Sequence, residues 1–288
     1  ASVAPTLIVP FRLTTQRREP LARLARLLAH VPPSWQRVVV DDTSDLEAAD
    51  AVAALCAAPA PVARHVHHIA TAGAPFSIGR LRDAGAEAAS GGLVLFHDVD
   101  FFAPPHVYAA LAELIDAGLG RDLAGGGFAC VPVAFLTRRG TALVQHSPGR
   151  LWTHLRLPWS RHAGLVSRFV RASSAMLVDR RTLLATGGHD DLFVGHGAED
   201  FELMHRLALA HPRGPRPTDY HVDCGSRGQE GWGFRAYFAR YAEPLVERGL
   251  HLAHAWHPER TEDPRYYAER ARNFARLEAM LREASAAP

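Results

Sequence analysis

Short apolar runs alternate with amphipathic stretches through the first third of the chain, and that order restricts the fold more than any other feature. Residues 6–10 (TLIVP), 37–40 (RVVV) and 93–96 (LVLF) are near-continuous apolar runs, the pattern of strands buried on both faces. Between them, residues 19–29 place Leu21, Leu24, Leu27 and Leu28 at helical spacing. Residues 46–55 form a second helical stretch and 78–89 a third, closed by Ser90-Gly91-Gly92. A weaker strand is expected over 63–69. This β-α-β-α-β order predicts a parallel sheet with helices on both faces.

The second half is less regular. It suggests a Gly-rich turn and a strand within 123–136, a strand over 170–178 and a short helix over 182–184. A helix over 199–210 carries Phe201, Met204, Leu207 and Ala208 on one side, and a long amphipathic helix runs over 266–284. No linker divides the chain, which reads as one α/β domain with a mixed, mostly parallel central sheet flanked by helices.

In such sheets ligands bind beyond the carboxyl ends of the strands. Asp41-Asp42 and Asp98-Val99-Asp100 stand there. A strand-end turn would account for a single Asp. Asp98 and Asp100, however, are a close pair followed by Phe101 and Phe102 rather than by polar turn residues, and a divalent cation relieves their repulsion. Oxygen ligation favours Mg²⁺ or Mn²⁺, which commonly share their coordination sphere with substrate phosphates.

A second cluster, residues 187–206 (GGHDDLFVGHGAEDFELMHR), opens a helix with Glu199-Asp200. Acids in a first turn are ordinary helix chemistry. The same dipole keeps an aspartate ionised, which also suits a base accepting a proton from an alcohol. The third cluster is residues 251–258 (HLAHAWHP). Imidazole suits Mn²⁺ or Zn²⁺, although an isolated His is more often structural. On a regular strand His254 and His257 would face opposite sides, so they share a metal only if the chain bends near His257-Pro258.

Taken in order, these segments resemble the β-1,4-galactosyltransferases, inverting family 7-type enzymes of the GT-A fold that use a nucleotide sugar and Mn²⁺. Residues 8–12 (IVPFR) look like the family's opening strand and PFR segment, which contacts uridine diphosphate. Residues 76–85 (FSIGRLRDAG) are similar to FNRAKLLNVG, and 96–102 (FHDVDFF) to FSDVDLI. Ser174-Ala175-Met176 and 187–206 resemble the run from VSAL through NGF to WGWGGEDDD.

The resemblance implies metal ligation by Asp100, His254 and His257, the family's chain bending where the last two lie. It implies a catalytic base at Asp200 with an acceptor-binding Glu199 beside it. It also implies a donor site drawing on Phe11, Arg12, Phe76 and Arg80. Departures occur at Val194-Gly195-His196-Gly197-Ala198 in place of WGWGG, at Ile78 for an Arg, and at Phe169 for the Tyr that influences donor choice. The family's membrane anchor and disulfide cysteines have no counterpart.

The expected activity is metal-dependent, inverting transfer of a hexose from a nucleoside diphosphate, UDP foremost, to an acceptor hydroxyl. Phe11 and Phe76 would seat the base, Arg12 would pair with phosphate, Asp41 or Asp42 would bind base or ribose, and Asp98 the donor sugar or ribose. His196, Gly197 and Glu199 would meet the acceptor. Trp232 and the Gly-rich stretch 225–233 would form a flap, or else a plain surface loop, and the segment after His257 would close over the nucleotide. Residues 1–102 would form the nucleotide-sugar half and 103–288 the acceptor and catalytic half.

The acceptor class stays open among glycans, glycolipids and small molecules. Two rivals are a metallohydrolase, disfavoured because no HExxH pair exists, and a non-catalytic sugar- or nucleotide-binding protein, disfavoured by the Asp200–Glu199 pair. All 32 basic residues are Arg, scattered among 30 acids, which argues against nucleic acid. The three cysteines are far apart in sequence and no apolar stretch reaches the ~20 residues of a membrane span. A reducing, cytoplasmic setting is the expectation.

Overall fold

Consecutive side chains of a strand point to opposite faces, so an unbroken apolar run needs cover on both. The computed structural model provides it. It describes residues 4–14, 17, 19–43, 45–58, 63–67, 76–146, 152, 164–225, 231–258 and 265–286. The first seven elements run β1 (Thr6–Phe11), α1 (Glu19–His30), β2 (Gln36–Asp41), α2 (Leu46–Cys56), β3 (Arg64–His67), α3 (Ile78–Ala88) and β4 (Leu93–Phe96). Leu7, Val9, Val39 and Leu95 join α1 and α2 in one core cluster; Ile8, Val38, Val40, Val94 and Phe96 join α3 in the other. The alternation predicted from sequence is therefore present, and the strands are parallel. Residues 68–69 of the expected third strand lie outside the described residues.

The chain continues through β5 (Phe101–Phe102), α4 (Pro105–Leu114), a π-helical turn (Ile115–Leu119), α5 (Gly120–Ala124), β6 (Phe128–Cys130), β7 (Val133–Leu136) and α6 (Arg138–His146). Next come β8 (Val166–Val170), β9 (Met176–Asp179), α7 (Arg180–Ala185), α8 (Glu199–Ala210), α9 (Gly233–Ala239), α10 (Glu243–Val246) and β10 (Leu252–His254). Two helices, α11 (Arg265–Ala268) and α12 (Arg270–Ala286), follow. The main sheet has the order β3-β2-β1-β4-β9-β6, its last two pairings antiparallel. This is the mixed, mostly parallel sheet the sequence implied.

Two expectations need correction, and one feature was not anticipated. The strand read over 170–178 is two strands in different sheets. Between them Ser173 Oγ donates to Val131 O and accepts from Ala175 N, so the hydroxyl takes over backbone partners and interrupts the ladder. The helix expected over 266–284 is broken between α11 and α12. A second sheet, β5-β10-β7-β8, has strands of two to five residues, too short to leave a periodic signature. Among the described residues no helix is long and apolar enough to cross a membrane.

Gly85 marks the closest approach of α3 to the main sheet, because a Cβ there would overlap Ile8 Cγ2. Overpacking a filled core costs about 1–3 kcal/mol, so Gly85→Val should lower unfolding free energy by about that amount in urea titration. A variant as stable as the parent would show that the contact can relax.

Candidate functional site

The turn after β4 sends its two aspartates to different partners. Phe101 N donates to Asp98 O at 2.9 Å, closing the turn. Asp98 accepts from Arg82 Nη2 at 2.9 Å and from Ser174 Oγ at 3.1 Å. Arg82 is buried, and its Nη1 stands 3.9 Å from Glu199 Oε1. Burial would lower the Arg82 pKa, but Asp98, Glu199 and Asp200 outweigh it and hold the guanidinium above its ordinary value.

Asp100 turns the other way, against Arg17 (3.2 Å), Arg23 and His257 Nε2 (3.4 Å). Burial opposes its ionised form; His257, Arg17, His254 and Arg23 together pull it well below the usual carboxylate range.

Antiparallel pairing of β10 with β5 sets His254 opposite Phe101, and Ala255 N donates to Asp100 O at 2.8 Å. The ladder ends at His254. Trp256 N bonds to Thr141 Oγ1 at 2.7 Å, and the chain bends so that His257 comes to the same side. Ligand-type atoms of Asp100, His254 and His257 all lie within 4.8 Å of one another. Two ligands on one ion at about 2.0–2.6 Å stand at most about 5 Å apart, so one ion fits the three. Phe135 stacks on the His254 ring at 4.7 Å, and burial lowers the His254 pKa to about 4 despite the opposing pull of Asp100. Burial likewise lowers that of His257. Neutral imidazoles are the metal-binding form.

His254 and Asp98 also line an open groove shared with Arg82, Arg168, Ser174, His196, Gly197, Glu199, Asp200, Arg235 and Arg270. Glu199 and Asp200 begin α8. The preceding Ala198 adopts φ +73°, a left-handed conformation, and Glu199 Oε2 accepts from Gly197 N at 2.9 Å. Burial, then Asp200, raises the Glu199 pKa, with Arg82 opposing. Gly195 permits the close approach of α11, since a Cβ there would lie 2.6 Å from Tyr266 O. His196 N donates to that carbonyl at 2.7 Å.

The remaining sequence candidates are placed less directly. Arg12 pairs with Asp42 and its guanidinium lies 4.6 Å from the Phe76 ring centroid. Asp41 is fully buried, accepting from Thr43 N (2.9 Å) and His65 Nε2 (3.2 Å). Phe11 faces the α1 core, so its ring is structural rather than a wall for a base. Arg80 pairs with Asp191 at 2.7 Å on the surface and does not line the groove; Arg82, two residues on, does. Phe169 packs edge-on to His251 at 6.1 Å while Arg168 lines the groove, as strand alternation requires.

Trp232 precedes α9 with half its surface exposed and does not line the groove. The centre of the proposed flap, 226–230, and the closing segment, 259–264, lie outside the described residues. Sequence reasoning missed Arg17, Arg23, Arg82, Arg168, Arg235 and Arg270. Arg82 was within reach, being part of the quoted segment 76–85.

Among curated proteins none matches this chain. Among solved structures, S. aureus TarS 1–349 in complex with UDP is 17% identical with a TM-score of 0.44, over 72% of this chain and 55% of that one. TarS 1–349 in complex with UDP-GlcNAc gives 17% and 0.45, over 72% and 53%. The chain thus spans about half the length of the TarS structures it matches. The mannosyltransferase PcManGT from Pyrobaculum calidifontis, in complex with GDP-Man and Mn²⁺, is 18% identical with a TM-score of 0.43, over 98% of this chain and 75% of that one. A family model described as "Glycosyltransferase like family 2" matches residues 6–282. Covering nearly the whole sequence, that match shows that the protein belongs to the glycosyltransferase like family 2.

Proposed function

We propose that this protein is an inverting, metal-dependent glycosyltransferase that moves a hexose from a nucleoside diphosphate, UDP by preference, to an acceptor hydroxyl. The observation that carries the reading is the convergence of Asp100, His254 and His257 at the edge of the groove that Asp200 lines. Family membership supports the reaction class, and the galactosyltransferase resemblance supplies the finer roles.

One carboxylate oxygen and two imidazole nitrogens suit Mn²⁺, or Mg²⁺ less well. Bound there, the ion would neutralise charge on the departing diphosphate. In the structure Arg17 and Arg23 balance Asp100 instead, so Arg23 must turn aside for an ion to bind. Arg12, against Phe76, offers a planar donor fork to phosphate. Asp98, fixed by Arg82 and Ser174, is positioned to accept from a hydroxyl of the donor sugar or ribose.

Asp200 takes the proton from the acceptor hydroxyl. That oxygen bonds to the anomeric carbon as the bond from this carbon to the diphosphate oxygen breaks with its electron pair. No protein nucleophile intervenes, so configuration inverts. Glu199, its pKa raised by burial and by Asp200, stands beside the base to bind the acceptor.

Asp200→Asn should reduce transfer about 10²–10⁴-fold while UDP affinity in Mn²⁺ is retained; normal turnover from UDP-sugars would remove Asp200 from the reaction. Asp100→Ala should abolish the Mn²⁺-dependent part of UDP binding in calorimetry, and an unchanged Mn²⁺ response would exclude this ion site. Glu199 binds its proton more tightly folded than unfolded, so its contribution to stability is present at acid pH and fades as pH rises above its ordinary value of 4.5 toward neutrality. Relative to Glu199→Gln, the parent should therefore lose unfolding free energy over that window; parallel curves would contradict the raised pKa.

A further inference from the structure

Besides Arg82, which Asp98 holds, three guanidinium groups line the groove with Asp200, and one of them, Arg235, is ion-paired to Asp223. Arg235, on α9, donates to Asp223 at 2.5 and 3.2 Å, with its Cζ 4.5 Å from the Phe201 ring centroid. Arg270, the first residue of α12, lays its stem against Gly197, where an added Cβ would meet its Cγ at 3.4 Å. Arg168, on β8, sits 4.0 Å over the Phe135 ring, and its Nε is buried with no hydrogen-bond partner. Among the described residues no carboxylate forms an ion pair with Arg168 or Arg270, although Arg270, with Arg235, helps hold the Asp223 carboxyl below its ordinary pKa. Burial first, and then the nearness of Arg235 and Arg270, hold the Arg168 guanidinium below its ordinary pKa. Arg235 is buried, Arg168 half-buried and Arg270 exposed, and for the two enclosed cations like charge nearby is costly unless an anion joins them.

Among the described residues Asp200 lines the same groove without an ion pair to these arginines, and the other groove acids are engaged elsewhere. Asp98 is committed to Arg82 and Ser174, and Glu199 to the Gly197 amide beside Arg82. A donor diphosphate belongs at Arg12 and the Asp100–His254–His257 cluster. Arg270 rests on Gly197 and Arg235 over Phe201, so two of the three cations are anchored to the segment that carries Asp200. We propose that the acceptor is an anionic saccharide whose carboxylate or phosphate is gripped by Arg168 and Arg270, with Arg235 adding field, while its hydroxyl meets Asp200. This rests on the transferase reading above and names the acceptor class for it. Guanidinium forks match both oxyanions bidentately, so a uronic acid and a sugar phosphate share the required chemistry.

The test is calorimetric titration of the wild-type protein, held with Mn²⁺ and UDP, with glucose, glucuronic acid and glucose 6-phosphate. No sugar donor is present, so turnover cannot obscure binding. One or both acidic sugars should bind on the order of tenfold or more tightly than glucose, the stronger of them identifying the oxyanion. Arg168→Gln and Arg270→Gln should each shrink that preference several-fold, the double variant should abolish it, and Arg270→Lys should restore part of it. A merely structural role would weaken glucose and acids alike, and melting curves confirm that each variant is folded. Equal affinities for the three sugars, no binding of any, or a preference that survives in the double variant would each overturn the proposal. So would a several-fold loss of UDP affinity in Arg168→Gln, which would assign that cation to the donor. Efficient transfer to neutral acceptors without anion preference would leave the transferase reading standing and remove this one. Arginine-dependent anion binding in a protein without transfer would do the reverse.

Discussion

The backbone pairing of β10 with β5 is the constraint on which the candidate site depends. It aligns His254 with Phe101 and ties Ala255 to the Asp100 carbonyl, although these residues are more than 150 positions apart in the chain. A ladder of two residues is weak by itself. It holds because β10 also pairs with β7 on its other edge and because Phe101 and Phe135 enclose the His254 ring. Once this small sheet forms, an aspartate from the main-sheet edge and two imidazoles from a distant segment share one location.

Charge compensation is the second organising principle. Asp98 and Asp100 follow one strand with a single residue between them, yet they do not confront each other. The Asp98–Phe101 turn aims them apart, Asp98 to buried Arg82 and Asp100 to Arg17 and Arg23. Arg82 also approaches Glu199, so one guanidinium links the strand-end acid to the first turn of α8. In this way the groove keeps several carboxylates in a partly buried setting where unpaired charges would be prohibitive. The arginines of the groove on β8 and α12 form no ion pair among the described residues, unlike Arg235 on α9, and that asymmetry is what points to a charged ligand.

Much of the architecture was legible because its signals are local. Leu7, Val9 and Val39 must be covered on one face and Ile8, Val38 and Val40 on the other. Helical spacing in residues 19–29 and 199–210 identifies the cover, and the placement of acids after β2 and β4 follows from strand ends. Strand alternation and side-chain reach were harder to anticipate. Phe169 was one residue away from the groove-lining Arg168, and Arg80 two away from Arg82, because neither strand phase nor helix rotation is fixed until the element packs. Phe11, apolar at a strand end, belongs to the core since β1 runs one residue further than its pattern suggested.

Local pattern along the chain specifies the α/β class, the parallel order of the first strands, and the residue types able to hold a cation and accept a proton. These follow from periodicity and side-chain chemistry, which neighbours along the chain already encode. Long-range packing is what brings Asp100, His254 and His257 together, sends Asp98 and Asp100 apart, and sets Arg168, Arg235 and Arg270 in one groove with Asp200. Each of those outcomes depends on pairings between segments far apart in the chain, and no local pattern specifies which distant backbone a two- or three-residue strand will join.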